Sequence, residues 1–210
     1  MARLTDPKCK QCRRAGDKLF LKGERCFTPK CAMVKRAYPP GRHGKTARRG
    51  GLSEYGRQLM QKQRIKKTYG VLERQLKKYF KEAQAQKGDA RENLMRQFEM
   101  RLDNVIFRLG WAKSRAAARQ LVNHGHVLIN NKRVSIPSYR VRKDEIISLT
   151  DRTKKSKLTE NLLASLKKFQ TPTWLLQEKD ALEAKVLGVP SGEDLGDLAP
   201  VSLIVESYSR

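Results

Sequence analysis

Four cysteines lie within residues 9–31 and nowhere else, as Cys9-x2-Cys12, thirteen residues, then Cys26-x4-Cys31. A short spacing lets a tight turn aim two sulfurs at one point, and two such pairs around a loop suit tetrahedral thiolate coordination of one zinc. Reduced structural cysteines, an occasional disulfide and an iron–sulfur cluster are the other chemistries this set allows. Zinc is favoured over disulfides because the amino terminus, MARLTDPKCK, lacks the apolar core of a secretory signal. A structural zinc supplies roughly 10–16 kcal/mol, whereas ordering backbone costs about 1–2 kcal/mol per residue. The metal can fix the turns, and a second partner must order the rest.

Charge identifies that partner as a polyanion. The chain carries 46 Lys and Arg against 21 Asp and Glu over 210 residues, a net +25, and the first 150 residues hold all of the excess. Such an excess repels itself and is tolerated where phosphate supplies the counter-charge and releases its bound counterions. No run of about 18 apolar residues exists, so a membrane-spanning helix is not expected. Residence in the cytosol or an organelle matrix is the expectation.

The cations fall into groups that could grip phosphate. Arg48 and Arg49 lie in a Gly- and Pro-rich loop; Arg57, Lys62, Arg64, Lys66 and Lys67 lie on one helical stretch. Arg115 and Arg119 are four apart behind Ser114, with Ala118, Leu121 and Val122 on the opposite side, which makes a rigid guanidinium pair. The planar fork of Arg donates two parallel hydrogen bonds to phosphate. Lys132, Arg133, Arg140, Arg142 and Lys143 follow, and His124 and His126 flank Gly125 where they could touch RNA. The three histidines, His43 included, have no nucleophile or paired carboxylate in a recognisable motif, and G-x-x-x-x-G-K-[ST], H-E-x-x-H and G-x-S-x-G are absent. A non-enzymatic protein with no small-molecule substrate is expected.

These residues need elements to hold them. Residues 1–50 have few apolar residues, among them Leu19, Phe20, Leu21 and Phe27, and Tyr38-Pro39-Pro40-Gly41-Arg42-His43-Gly44 opens a basic linker. Ser53 is placed to cap a helix that Gly70 stops, and Leu72, Leu76, Tyr79, Phe80 and Ala83 form one stripe of a second. Leu102, Val105, Ile106 and Leu109 repeat that spacing up to Gly110, and a helix from Arg115 to His124 ends at Gly125. The runs His126–Ile129 and Lys132–Ile136 around Asn130-Asn131 predict a hairpin, because both turn residues tolerate positive φ. Ile146–Leu149 predicts a third strand, and Leu158, Leu162 and Leu166 a short helix. Trp174-Leu-Leu, Val186-Leu and Leu203-Ile-Val205 fit strands or packed turns equally.

Arg101-Leu-Asp-Asn-Val-Ile-Phe-Arg-Leu-Gly110, the Ser114–Asn130 stretch and Pro137-Ser138-Tyr139-Arg140-Val141 together resemble the signature of one family, that of the fourth protein of the small ribosomal subunit. Cys31-Ala32, Tyr38–Gly44 and the terminal Tyr208-Ser-Arg210 resemble it too, and the cysteines resemble its zinc-binding form. Asn131 departs from the usual Gly, but Asn also tolerates a left-handed backbone. The resemblance implies a structural protein that binds small-subunit rRNA early in assembly, near the place where messenger RNA enters, beside the third and fifth small-subunit proteins, with an effect on decoding accuracy. A regulator binding DNA or RNA and an RNA-modifying enzyme carrying the same module are the competing readings.

The expected fold class is α+β: a mainly helical domain plus a small RNA-binding module of two helices and a short antiparallel sheet, with a zinc-clipped extension. Residues 1–43 form the extension, 44–98 the helical domain completed by about 180–210, and 99–179 the module with its following strands and helix. One zinc on Cys9, Cys12, Cys26 and Cys31 is the expected cofactor.

Overall fold

The computed structural model describes residues 5–46, 51, 53–156, 162–163, 166, 169–196 and 198–209. They form two compact units, one built from the chain up to residue 94 and again from 197, the other from residues 95–196.

In the first unit, Lys8–Ala15 (α1) ends at Gly16 with a left-handed φ of 71°. A 3-10 turn at Gly23–Cys26 and the short helix Ala32–Lys35 (α2) follow. Arg13 then ties the linker to α1: its Nε donates to the Tyr38 carbonyl at 2.9 Å and its Nη2 to the Pro39 carbonyl at 3.1 Å. Glu54–Tyr69 (α3) begins where Ser53 Oγ accepts from the Gly56 N–H at 3.2 Å and stops at Gly70, φ 65°. That is the cap and stop chemistry the sequence predicts, satisfying one orphan N–H and turning the chain without a Cβ clash.

Glu73–Ala85 (α4) buries Leu76, Tyr79, Phe80 and Ala83, the whole of the predicted stripe. Residues 199–209 form a helix, Ala199–Ser209, that packs along α3 and buries Val201 and Ile204. Leu203-Ile-Val205 is thus helical, neither strand nor packed turn.

Ala90–Glu99 (α5) carries the chain into the second unit. There Leu102–Arg108 (α6) and Arg115–Asn123 (α7) pack on an antiparallel sheet of Val127–Ile129 (β1), Lys132–Arg133 (β2), Ile146–Leu149 (β3), Leu175–Glu178 (β4) and Glu183–Val186 (β5), in the order β2-β1-β3-β5-β4. Asn130 and Asn131 turn β1 into β2 with φ of 47° and 63°, as a two-residue primed turn requires. The second hairpin arm is shorter than its apolar run suggests: the pairing stops at Arg133, and Ile136 is half exposed. The segment after it has another task, since the Leu102 and Asp103 N–H groups donate to the Tyr139 and Pro137 carbonyls at 2.9 and 3.1 Å. Backbone from a distant loop thereby satisfies the start of α6 in place of a capping side chain.

Leu102, Val105, Ile106 and Leu109 of α6, Ala118 and Val122 of α7, and Ile147 and Leu149 of β3 fill this unit's core with Trp111 and Trp174. Leu162, Leu163 and Leu166 join it, whereas Leu158 lies outside the described residues. β5 is where the structure departs from the expected boundaries: Ile147 pairs with Ala184, so residues 183–186 belong to the module's sheet, and only the chain from 197 returns to the helical unit. Two further strands extend the three-stranded sheet because Ala184 and Val186 supply an inward face that Lys185 interrupts outward.

Candidate nucleic-acid interface

The second unit's cations are organised around two buried carboxylates. Ser114 caps α7, its Oγ accepting from the Ala117 N–H at 3.2 Å, which sets the register that sends Arg115 and Arg119 back toward α6. Asp103 Oδ2 accepts from Arg119 Nη1 at 3.2 Å, while Arg101 grips the same carboxylate at both oxygens, 3.0 and 2.7 Å. Glu99, fully buried, accepts from Arg108 at 2.7 and 2.9 Å and from Asn104 Nδ2 at 2.8 Å. Asn104 in turn accepts at Oδ1 from Arg115 Nε at 2.7 Å, and the Arg115 guanidinium lies 4.6 Å from the centre of the Phe107 ring.

Three arginines thus share two carboxylates and Arg115 bonds the neutral amide of Asn104, so the four guanidinium groups carry two positive charges in excess on side chains held by fixed hydrogen bonds. Each guanidinium has five N–H donors; Arg101 is buried with its carboxylate, its side chain 4% exposed, whereas Arg108 at 33% and Arg119 at 14% keep part of their surface toward solvent, where phosphate can approach. A preorganised fork loses less conformational entropy on binding than a swinging lysine.

The hairpin adds to this. Lys132 and Arg133 are exposed, and Arg133 Nη2 donates to the His124 carbonyl at 3.0 Å. Its guanidinium lies against Gly125, φ 70°, in the space a Cβ would need. His124 and His126 have ring centres 6.0 Å apart, and His126 Nδ1 is 2.9 Å from Thr153 Oγ1. Arg140 is bridged through its backbone to Arg101, which joins it to the Asp103 group; Arg142 and Lys143 are exposed on the next loop. Tyr139 is not an open platform, because its hydroxyl donates to Glu145 at 2.7 Å and that bond holds the phenol's pKa above its usual value.

The α3 cations are arranged differently. Glu73 Oε1 is 3.1 Å from Lys62 and Oε2 is 3.2 Å from Lys66, and Tyr208 of the carboxy-terminal helix donates to Glu73 at 2.6 Å. Burial pushes the Glu73 carboxyl up, but the Tyr208 hydroxyl and the two lysines outweigh it and bring the pKa down to about 2. Arg64 pairs with Asp17. Lys67 has its pKa lowered by burial and by the nearby charge of Arg14. Arg57 is exposed. Arg48 and Arg49 lie outside the described residues.

The four cysteines form no disulfide and line one small pocket with Leu21, Lys22, Ala32 and Met33. Burial raises the Cys12 thiol pKa most, a backbone hydrogen bond from Leu19 lowers it, and the charges of Cys26, Cys9 and Cys31 raise it again. The Lys22 N–H also donates to Cys26 Sγ at 3.4 Å. Among the described residues no three His, Cys, Asp or Glu side chains converge closely enough to hold a metal ion. The donor set and the two N–H groups directed at sulfur nevertheless fit a thiolate site.

Sequence reasoning found the arginines but missed their carboxylates. The available signal was Asp103-Asn104, two polar residues at the start of an otherwise apolar helix. Glu73 and Tyr208 left no local signal, being far apart in the chain.

Residues 3–99 match the description "Ribosomal protein S4/S9 N-terminal domain" and residues 100–147 match "S4 domain". The chain is similar to "Small ribosomal subunit protein uS4" of Halothermothrix orenii, 47% identical over 210 residues and covering all of both chains. It is 50% identical over 210 residues to "Small ribosomal subunit protein uS4A" of Alkaliphilus oremlandii, and 48% identical over 211 residues to that of Clostridium botulinum, again over the full length of each. The chain belongs to the ribosomal S4 family, a structural, non-enzymatic component of the small ribosomal subunit.

Proposed function

We propose that this chain is a zinc-bearing member of its family that binds small-subunit rRNA by shape, through phosphate contacts. The observation that carries the reading is the pair Arg119–Asp103 and Arg115–Asn104: guanidinium groups fixed by buried acceptors and left in charge excess. Non-specific electrostatics needs only mobile cations, whereas fixed forks favour phosphates at set separations, which folded RNA offers. Exposed Lys132, Arg133, Arg140, Arg142 and Lys143 extend the same surface.

One structural zinc on Cys9, Cys12, Cys26 and Cys31 would hold the basic extension in place for RNA. In the family's setting the chain joins assembly early, in the 5′ domain of the small-subunit rRNA. It borders the place where messenger RNA enters, beside the third and fifth small-subunit proteins, and affects decoding accuracy. No described helix is long and apolar enough to cross a membrane, and the ribosome is the proposed location.

The test is equilibrium competition. Full-length protein bound to labelled, protein-free small-subunit rRNA is challenged with unlabelled rRNA or with duplex DNA of equal length, at fixed salt. Displacement by rRNA at concentrations at least tenfold below those needed with DNA is expected. Equal displacement would instead favour a general polyanion binder.

A further inference from the structure

Two aromatic rings stand out on the cysteine-lined segment. Phe27 is 76% exposed and Phe20 43% exposed, and their rings stack with centres 5.0 Å apart and planes 29° from parallel. Leaving a phenylalanine in water forgoes most of its burial energy, roughly 1.5–3 kcal/mol. Phe20 also sits at φ 49°, a left-handed conformation that bulky residues rarely adopt. The neighbours explain how the fold sustains this. Leu19 is buried and Leu21 lines the cysteine pocket, so Phe20, between them, is the residue turned outward. Cys26, directly before Phe27, lines the same pocket. Both rings are therefore anchored through their backbone to one small rigid centre.

The surroundings are cationic. Lys18, Lys22, Arg25 and Lys30 are exposed around the pair in sequence, against the single acid Glu24, while Asp17 is engaged by Arg64. A second copy of the chain would bring the same charge and be repelled. A polyanion with π faces is the complementary occupant.

We propose that the Phe20–Phe27 pair is a stacking platform for an unpaired RNA base, an inference that rests on the RNA-binding reading above. One face of Phe27 is taken by Phe20; the other is open for a base splayed from its strand, whose flanking phosphates meet the lysines. Stacking of this kind tolerates any base, since each has a π face. The surface thus adds a single-strand contact to a protein that otherwise reads phosphate geometry.

The test uses full-length Phe27→Ala, Phe27→Leu and Phe27→Trp with protein-free small-subunit rRNA, the exposed position keeping the fold out of question. Ala and Leu should weaken binding about five- to a hundredfold at fixed salt, with the salt slope unchanged because no phosphate contact is lost. Trp should bind as the parent does, and its emission, added to that of buried Trp111 and Trp174, should be quenched by RNA. Leu at parental affinity with Ala weakened would overturn the proposal in favour of a merely apolar dock. All three variants at parental affinity would overturn it in favour of a protein neighbour on that face. If the parent chain itself failed to bind the RNA, the RNA-binding reading would fall, an outcome distinct from either.

Discussion

Asp103 and Arg119 meet across the α6–α7 pair at 3.2 Å, on the carboxylate that Arg101 already grips at both oxygens. The contact ties Arg119, whose side chain is 14% exposed, to an interior pair, because Arg101 and Asp103 have side chains only 4% and 6% exposed. Removing one partner of such a pair strands a buried charge, at a cost of about 3–5 kcal/mol. Asp103→Ala should therefore lower the second unit's stability by that amount, measured by urea unfolding followed through Trp111 and Trp174. A loss below about 1 kcal/mol would mean that the carboxylate orients nothing.

Glu73 gives a pH-dependent prediction. Its folded pKa, about 2, lies below the ordinary value of 4.5, so its contribution to stability is fully present above pH 4.5 and is lost as pH falls toward 2. The carboxylate is 36% exposed, and after discounting for solvent screening the contribution is on the order of 1–2 kcal/mol. Glu73→Gln should flatten the acid limb between pH 4.5 and 2, read as hydrogen exchange of the Ala199–Ser209 amides. An acid limb as steep as the parent's would place the titration elsewhere.

Zinc supplies a third prediction. Protein purified without chelator should contain one equivalent of zinc, and Cys26→Ser should raise protease sensitivity within residues 1–45 while leaving 99–150 protected. Well under one equivalent by elemental analysis would contradict the metal site. Uniformly raised cleavage along the chain would contradict its local role.

Much of the fold was legible because it is encoded locally. Ser53 and Gly70 bound a helix by cap and stop chemistry, Leu76, Tyr79, Phe80 and Ala83 share one face by period, and Asn130-Asn131 can sit at positive φ. β4, β5 and the helical state of Leu203-Ile-Val205 were not legible, because they depend on pairings such as Ile147 with Ala184 and on packing against α3. The candidate site divides the same way. Arg115 and Arg119 follow from spacing, but their acceptors Asn104 and Asp103 come from another helix. Lys62 and Lys66 read as a cationic face from spacing alone, yet Glu73 holds both.

The most direct test of phosphate recognition by the anchored arginines is the salt dependence of binding. Affinity of the parent and of Arg115→Ala/Arg119→Ala for protein-free small-subunit rRNA should be measured across a salt series. If each arginine neutralises one phosphate, the slope of log affinity against log salt should become shallower by roughly 1.4–1.8 for the pair. The double variant should also lose more affinity than one lacking two scattered surface lysines. A slope equal to the parent's would contradict the proposed docking face, even with the chain's family membership intact.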